Sequence, residues 1–147
     1  MKFERLELEH VSGHYDEVSG ILFVAYRGSI TSDTTAKVYA WIGRLIEQGD
    51  GVDTTRGSVF DFREVTDFAL GNLTTTQTRS QSLNTKFDIS HHPVALIVGS
   101  LYQRMMVKTA MYVTPQQKRK QMVESMDEAL NFIETWHQQP ISEQQQP

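Results

Sequence analysis

The chain has 147 residues, the size of one ordinary domain, with 39% hydrophobic and 22% charged residues. The absence of cysteine excludes disulfides, thiolate metal ligands and cysteine nucleophiles. With 14 basic and 18 acidic residues the formal charge is -4, so the domain has no general attraction for nucleic acid or anionic lipid.

The amino end, Met1-Lys2-Phe3-Glu4-Arg5, mixes charges and lacks the apolar core of a signal peptide. No run reaches the ~18 apolar residues of a membrane span. The expectation is a cytoplasmic chain with no stable membrane insertion.

Leu6-Glu7-Leu8-Glu9 alternates apolar and acidic, as a half-buried strand does. Val11 to Tyr15 extends it past Gly13 through a bulge. Glu17 to Gly20 reads as a turn, and Ile21 to Tyr26 as the second arm of an amino-terminal hairpin ended by Gly28. Thr31 or Ser32 caps a first helix whose Val38, Trp41, Ile42 and Leu45 recur at helical spacing. Gly49 stops it, and residues 50–56 form a polar loop.

Ser58 to Phe62 reads as a short buried strand on which the rest is organised. Arg63 to Asn72 follows as a long exit loop, tucked down by Val65, Phe68 and Leu70. A second helix covers roughly Leu73 to Phe87. Its apolar pattern is thin, so it has the least to bury of all the helices. Pro93 opens a second apolar strand running to Val98, with Gly99-Ser100 ending it and Ser100 capping a third helix. Tyr102, Met105, Met106, Thr109 and Val113 are that helix's expected inward stripe, and Pro115 lies beyond its end. Lys118-Arg119-Lys120 reads as a solvated strand start, and Gln121 to Val123 as a last strand at the sheet edge. Ser125-Met126-Asp127-Glu128 spells a reciprocal capping box before a helix with Ala129, Leu130, Ile133 and Trp136 inward. The domain spans 1–139, and the glutamine-rich residues 140–147 form a disordered tail.

Two apolar strands each followed by a helix predict parallel neighbours in a covered sheet. The class is α/β: a single domain with a mixed, mostly parallel sheet of about five strands, an amino-terminal hairpin and about four helices. The strand, strand, helix, strand, helix, strand, helix, strand, helix order resembles the STAS-like fold, in the branch of anti-sigma-factor antagonists with similarity to Sec14-type lipid carriers. The features behind the resemblance are Gly28-Ser29-Ile30-Thr31-Ser32-Asp33, Val59 to Val65, Val94 to Gly99, and Met126 to Leu130 before a tryptophan-bearing helix. The resemblance implies a phosphorylatable Asp-Ser pair at the start of the second helix. Here those positions are Ala69 and Leu70, which have neither charge nor hydroxyl. The nearest hydroxyls are Thr74, Thr75 and Thr76. Their first reading is one helix cap and two solvent-facing side chains.

No complete catalytic motif is present: no nucleophile elbow, phosphate-binding glycine loop or dinucleotide fingerprint. His10, His14, His91, His92 and His137 show no metal-ligand spacing, so neither metal nor cofactor is expected. Candidate ligand or partner residues are Asp61, Arg63, Asp67, Phe68, Thr74, Ser100, Tyr102 and Met105. Asp61 and Arg63 read first as an internal pair ordering the chain after the strand. The function expected is a non-catalytic, regulatory contact with a protein partner or with itself, through Phe68, Leu70 and the second helix. The alternative is a carrier for a small apolar molecule or lipid, held between the second and third helices and the sheet.

Overall fold

The computed structural model describes residues 3–48, 55–69, 71–114 and 117–139. The expectations for Gly49, Leu70, Pro115 and the tail from 140 onward fall outside them, as does most of the loop at 50–56. The strands are β1 (Leu6–Glu7), β2 (Val11–Asp16), β3 (Ile21–Ile30), β4 (Gly57–Phe68), β5 (Val94–Ile97) and β6 (Lys120–Val123). The helices are α1 (Ser32–Gln48), α2 (Asn72–Lys86), α3 (Leu101–Val113) and α4 (Met126–His137). One six-stranded sheet runs β1-β2-β3-β4-β5-β6. Its first pairs are antiparallel, and β3 to β6 are parallel.

The predicted side-by-side parallel pairing of the two apolar strands is present: Val59 pairs with Ala95 and Asp61 with Ile97. The β6 strand lies at the edge beside β5, as read from the sequence. Two strand limits differ. Leu6–Glu7 is not continuous with the segment after Gly13; it folds back antiparallel on β2, which makes the sheet six-stranded rather than five-stranded. The stretch read as an exit loop is strand as far as Phe68, paired along its length with β3 through Ile30. Register shifts between Ala25 and Arg27 and between Gly28 and Ser29 break the alternation there, so neither strand shows its full length as a pattern. Gly28 sits inside β3, not at its end. Its φ of 70° is left-handed, and a Cβ would lie 2.8 Å from the His10 ring, so glycine is required.

Side-chain alternation divides the sheet into two faces. On one, Ile21, Val59, Ala95, Ile97 and Val123 meet Ala129 and Ile133 of α4. This layer is closely packed: a Cβ added at Gly57 would lie 3.2 Å from the Ile133 side chain. Trp136 locks α4 further by donating from Nε1 to the His91 carbonyl at 2.9 Å. Leu130, expected inward, is 38% exposed. The α4 cap is half as read. Ser125 Oγ accepts from the Glu128 amide at 3.1 Å, but the Glu128 carboxylate accepts from the Glu124 amide instead of the Ser125 amide.

On the other face α1 covers β2 and β3 with Val38, Trp41, Ile42 and Leu45, all buried as predicted. Thr31 Oγ1 caps α1 by accepting from the Thr34 amide at 3.3 Å. The α2–α3 pair covers the remaining strands. The second helix buries only Ser80 fully, in line with its thin pattern. Its amino cap is Gly71 in a left-handed conformation with no side-chain cap, so the expected threonine cap is absent.

The inward stripe of α3 is corrected. Gln103 and Val107 are buried, whereas Tyr102 is 42% and Met105 59% exposed. Gln103 decides the rotation of the helix. Its Oε1 accepts from the Gly99 and Ser100 amides, and its Nε2 donates to the carbonyls of Arg63 at 3.1 Å and Val65 at 2.9 Å. A buried amide satisfied this fully is worth more inward than a solvated one, so the polar residue displaces Tyr102 and Met105 from the core. Ser100 caps α3 as expected, in a capping box with Gln103.

Candidate functional site: a hollow under the α1–α3 layer

Between the sheet and the layer of α1, α2 and α3 lies a hollow of about 300 Å³. Its floor follows the parallel register. Leu22, Ser58, Val94 and Lys120 form one row across β3 to β6. Phe60 and Leu96 lie in the next row, with Tyr26 and Phe62 beyond them. The roof is Tyr39 and Ile42 from α1, Leu73, Thr76 and Leu83 from α2, and Met106, Val107 and Ala110 from α3.

The cause is visible in the helices. Several inward positions of α2 and α3 are small, Thr76, Ser80, Val107 and Ala110, beside the larger Leu73, Leu83, Met106 and Met111. Three bulky residues of α3, Leu101, Met105 and Tyr112, point to solvent. Such a roof spans the gap to the sheet without filling it.

The two ends of the hollow differ. At the carboxyl end of β4 the wall is aromatic. Tyr26 stacks on Phe62 at 5.0 Å between ring centroids, and Phe62 lies 6.0 Å from Phe68. At the amino ends of β5 and β6 the wall is polar and cationic, formed by Tyr39, His92, Thr114, Arg119 and Lys120. Arg119 is only 6% exposed and donates from Nη1 to the His92 carbonyl at 3.0 Å. Lys120 Nζ donates to Thr114 Oγ1. Burial pulls the Arg119 guanidinium down to about 10, although Tyr39 opposes the shift. Burial, helped by the Arg119 charge, pulls the Lys120 ammonium down to about 7. Burial raises the Tyr39 hydroxyl to about 12 and pushes Tyr26 up as well. Lys118-Arg119-Lys120 is therefore not simply a solvated strand start: Lys118 is exposed, Arg119 is buried, and Lys120 is half-buried in the floor.

Of the candidate residues read from the sequence, Phe68 lines this hollow and the others lie elsewhere. Arg63 grips Asp61 through two side-chain hydrogen bonds, of 2.8 and 3.0 Å, and donates its amide to the same carboxylate. Burial would raise the Asp61 carboxyl, but the Arg63 bonds and charge outweigh it and hold it below the usual range. This is the internal pair expected, on the face away from the hollow. Asp67 accepts from Ser29 Oγ at 3.2 Å and from the Tyr102 hydroxyl at 3.4 Å, and that hydroxyl accepts from the Phe68 amide at 3.0 Å. Asp67, Phe68 and Tyr102 thus form one cluster at the end of β4. Thr74 is exposed on α2, and Met105 is exposed on α3. Thr76 and Met106, their near neighbours, face the hollow in their place. His10 accepts from or donates to no other histidine; its Nδ1 meets the Arg27 carbonyl, while His14 stacks on Phe23.

Neither a family model nor a curated protein matches this sequence. Solved structures do match it in fold. An uncharacterized DUF3478-family protein from Shewanella loihica PV-4, with a SpoIIAA-like fold, is 14% identical over 87% of this chain and 97% of its own, with a TM-score of 0.61. An anti-sigma factor antagonist from Mycobacterium paratuberculosis is 13% identical over 84% of this chain and 94% of its own, with a TM-score of 0.52. The chain has the SpoIIAA-like fold, as the order of its elements predicted. No helix among the described residues is long and apolar enough to cross a membrane.

Proposed function

We propose that this chain is a non-catalytic binding module whose ligand is a small, largely apolar molecule held between the sheet and the α1–α3 layer. The hollow of about 300 Å³ is the observation that supports it. The hollow opens partly to solvent, and its mainly apolar wall gains when an apolar molecule replaces the water there. The volume is at the lower end for small-molecule sites, and a mainly apolar wall with a few converging polar groups is their usual composition.

The test is fluorescence titration with the neutral, apolar probe N-phenyl-1-naphthylamine, beside native mass spectrometry of freshly purified protein. Saturable enhancement that disappears in Ala110→Phe, a variant that fills the roof, is the expected result. No enhancement at any concentration would remove the proposal.

A second reading, contact with a protein partner or a second copy, is favoured by the outer face of α3. Leu101 is 73%, Met105 59% and Tyr112 65% exposed, and their spacing aligns them along one stripe of the helix. The anti-sigma factor antagonist among the structural neighbours shares the fold on which such a contact would be built. Light scattering on the wild type and on Met105→Glu tests it. A dimer lost in the variant supports self-association. A monomer in both removes it.

A further inference from the structure

We infer that the ligand is an anionic amphiphile: a monocarboxylate whose head lies among Lys120, Arg119, Thr114 and Tyr39 and whose unbranched tail runs over Phe60 toward Phe62. This rests on the ligand-binding reading above and names the chemistry of the same site.

The geometry is asymmetric in a way that a purely apolar ligand does not use. Among the described residues, the formally charged side chains in the wall are Arg119 and Lys120, and no aspartate or glutamate lines it. Two neighbouring cations repel one another, and the lowered affinity of Lys120 for its proton records that repulsion together with burial. An anion placed between them reverses the sign of both effects. In a low-dielectric wall a charge-assisted hydrogen bond of this kind is worth more than in water.

The groups facing the head come from several elements: Tyr39 from α1, His92 before β5, Thr114 at the end of α3, Arg119 just before β6 and Lys120 at its start. Tyr39, with its proton held firmly, is a hydroxyl donor at neutral pH. A single negative charge matches this set better than a phosphate monoester, which brings ~1.5 to 2 charges and asks for more donors.

The remaining wall fits a tail. From the row containing Lys120 to the row containing Phe62 is four residues of strand, or roughly 13 Å, a floor length for about eight to ten carbons. Val94, Phe60 and Leu96 lie beneath that path, and Val107 and Ala110 lie above it.

The experiment is isothermal titration of the full chain with decanoate, decanol, decyl phosphate and butyrate. Decanoate should bind at least tenfold more tightly than decanol or decyl phosphate, and at least a hundredfold more tightly than butyrate. Lys120→Met should weaken decanoate at least fivefold and leave decanol unchanged. Arg119 also holds the His92 carbonyl, so Arg119→Lys, which keeps a cation, is the companion variant and should retain most of the affinity. Titrations near pH 8 in buffers of different ionisation enthalpy should show proton uptake on binding decanoate and none on binding decanol. Equal affinity for decanoate and decanol, or an unchanged Lys120→Met, overturns the carboxylate assignment and leaves the apolar site standing. Tighter binding of decyl phosphate overturns the choice of head group. Failure of every decyl ligand and of the neutral probe overturns the site itself.

Discussion

The two faces of the sheet are built from the same strands and end in opposite states. On the α4 side Val59, Ala95, Ile97 and Val123 are each at most 4% exposed. Their sequence neighbours on the other side, Phe60, Leu96 and Met122, are half-buried. One helix with an apolar stripe closes the first face over β4 to β6, while an open hollow lined by Phe23, Ala25, Val59 and Asp61 lies beside it over β2 to β4. On the second, two helices with several small inward residues stand over β4 to β6 and leave a space. The difference is therefore set by the roof and not by the strands. A fold needs one close-packed layer to be stable, and this one confines that requirement to α4 and to the α1 contact with β2 and β3.

Paired substitutions test this division. Ile97→Ala and Leu96→Ala alter adjacent residues on opposite faces. The first should cost about 3–4 kcal/mol and the second about 1 kcal/mol, because Leu96 already borders open space. Urea unfolding measures both, and equal costs would erase the distinction. Adding volume reverses the order. Ala95→Leu should destabilise by about 2 kcal/mol, since Ala95 has no free surface, while Ala110→Leu should stabilise by up to about 1 kcal/mol.

Lys120 gives a modest effect with a sign that can be checked. Its proton affinity in the folded state is near pH 7 and its unfolded value is the ordinary one near 10.5. Between those values the unfolded chain binds more protons, so stability rises with pH through this window. Between pH 6.5 and 9 the gain should be about 1–2 kcal/mol, after allowance for water reaching a half-buried group. The Tyr39 and Tyr26 shifts act only near or above pH 10 and do not disturb this range. Thermal melts across it should show the rise in the wild type and its disappearance in Lys120→Met.

The close-packed parts were largely legible in the sequence; of the hollow, its place between the second and third helices and the sheet was read, but its lining was not. Trp41 and its helical partners, the apolar runs of β4 and β5 and the Ser125 cap are local patterns, and local patterns survive in one dimension. The lengths of β3 and β4 were hidden because bulges near Arg27 and Gly28 shift the alternation partway along. The face of α3 was misread because its key inward residue is polar, and only Gln103's partners on β4 reveal why. The candidate site suffered most. A search for clustered polar residues finds Asp61 and Arg63, which satisfy each other. The hollow is instead assembled from one parity of several strands and from what three helices lack. Arg119 and Lys120 were visible as a basic run, but a run of charge does not disclose that its second member is buried.

The central claim is that a small apolar molecule enters between the sheet and the α1–α3 layer. Methyl-resolved carbon–proton NMR during titration with N-phenyl-1-naphthylamine addresses it directly, because the probe's ring currents report position. Saturable shifts are expected at the methyls of Val94, Leu96, Val107 and Met106, with Val59, Ile97, Val123 and Ile133 unmoved. Shifts of equal size on both faces, or none at a large excess of probe, would contradict it.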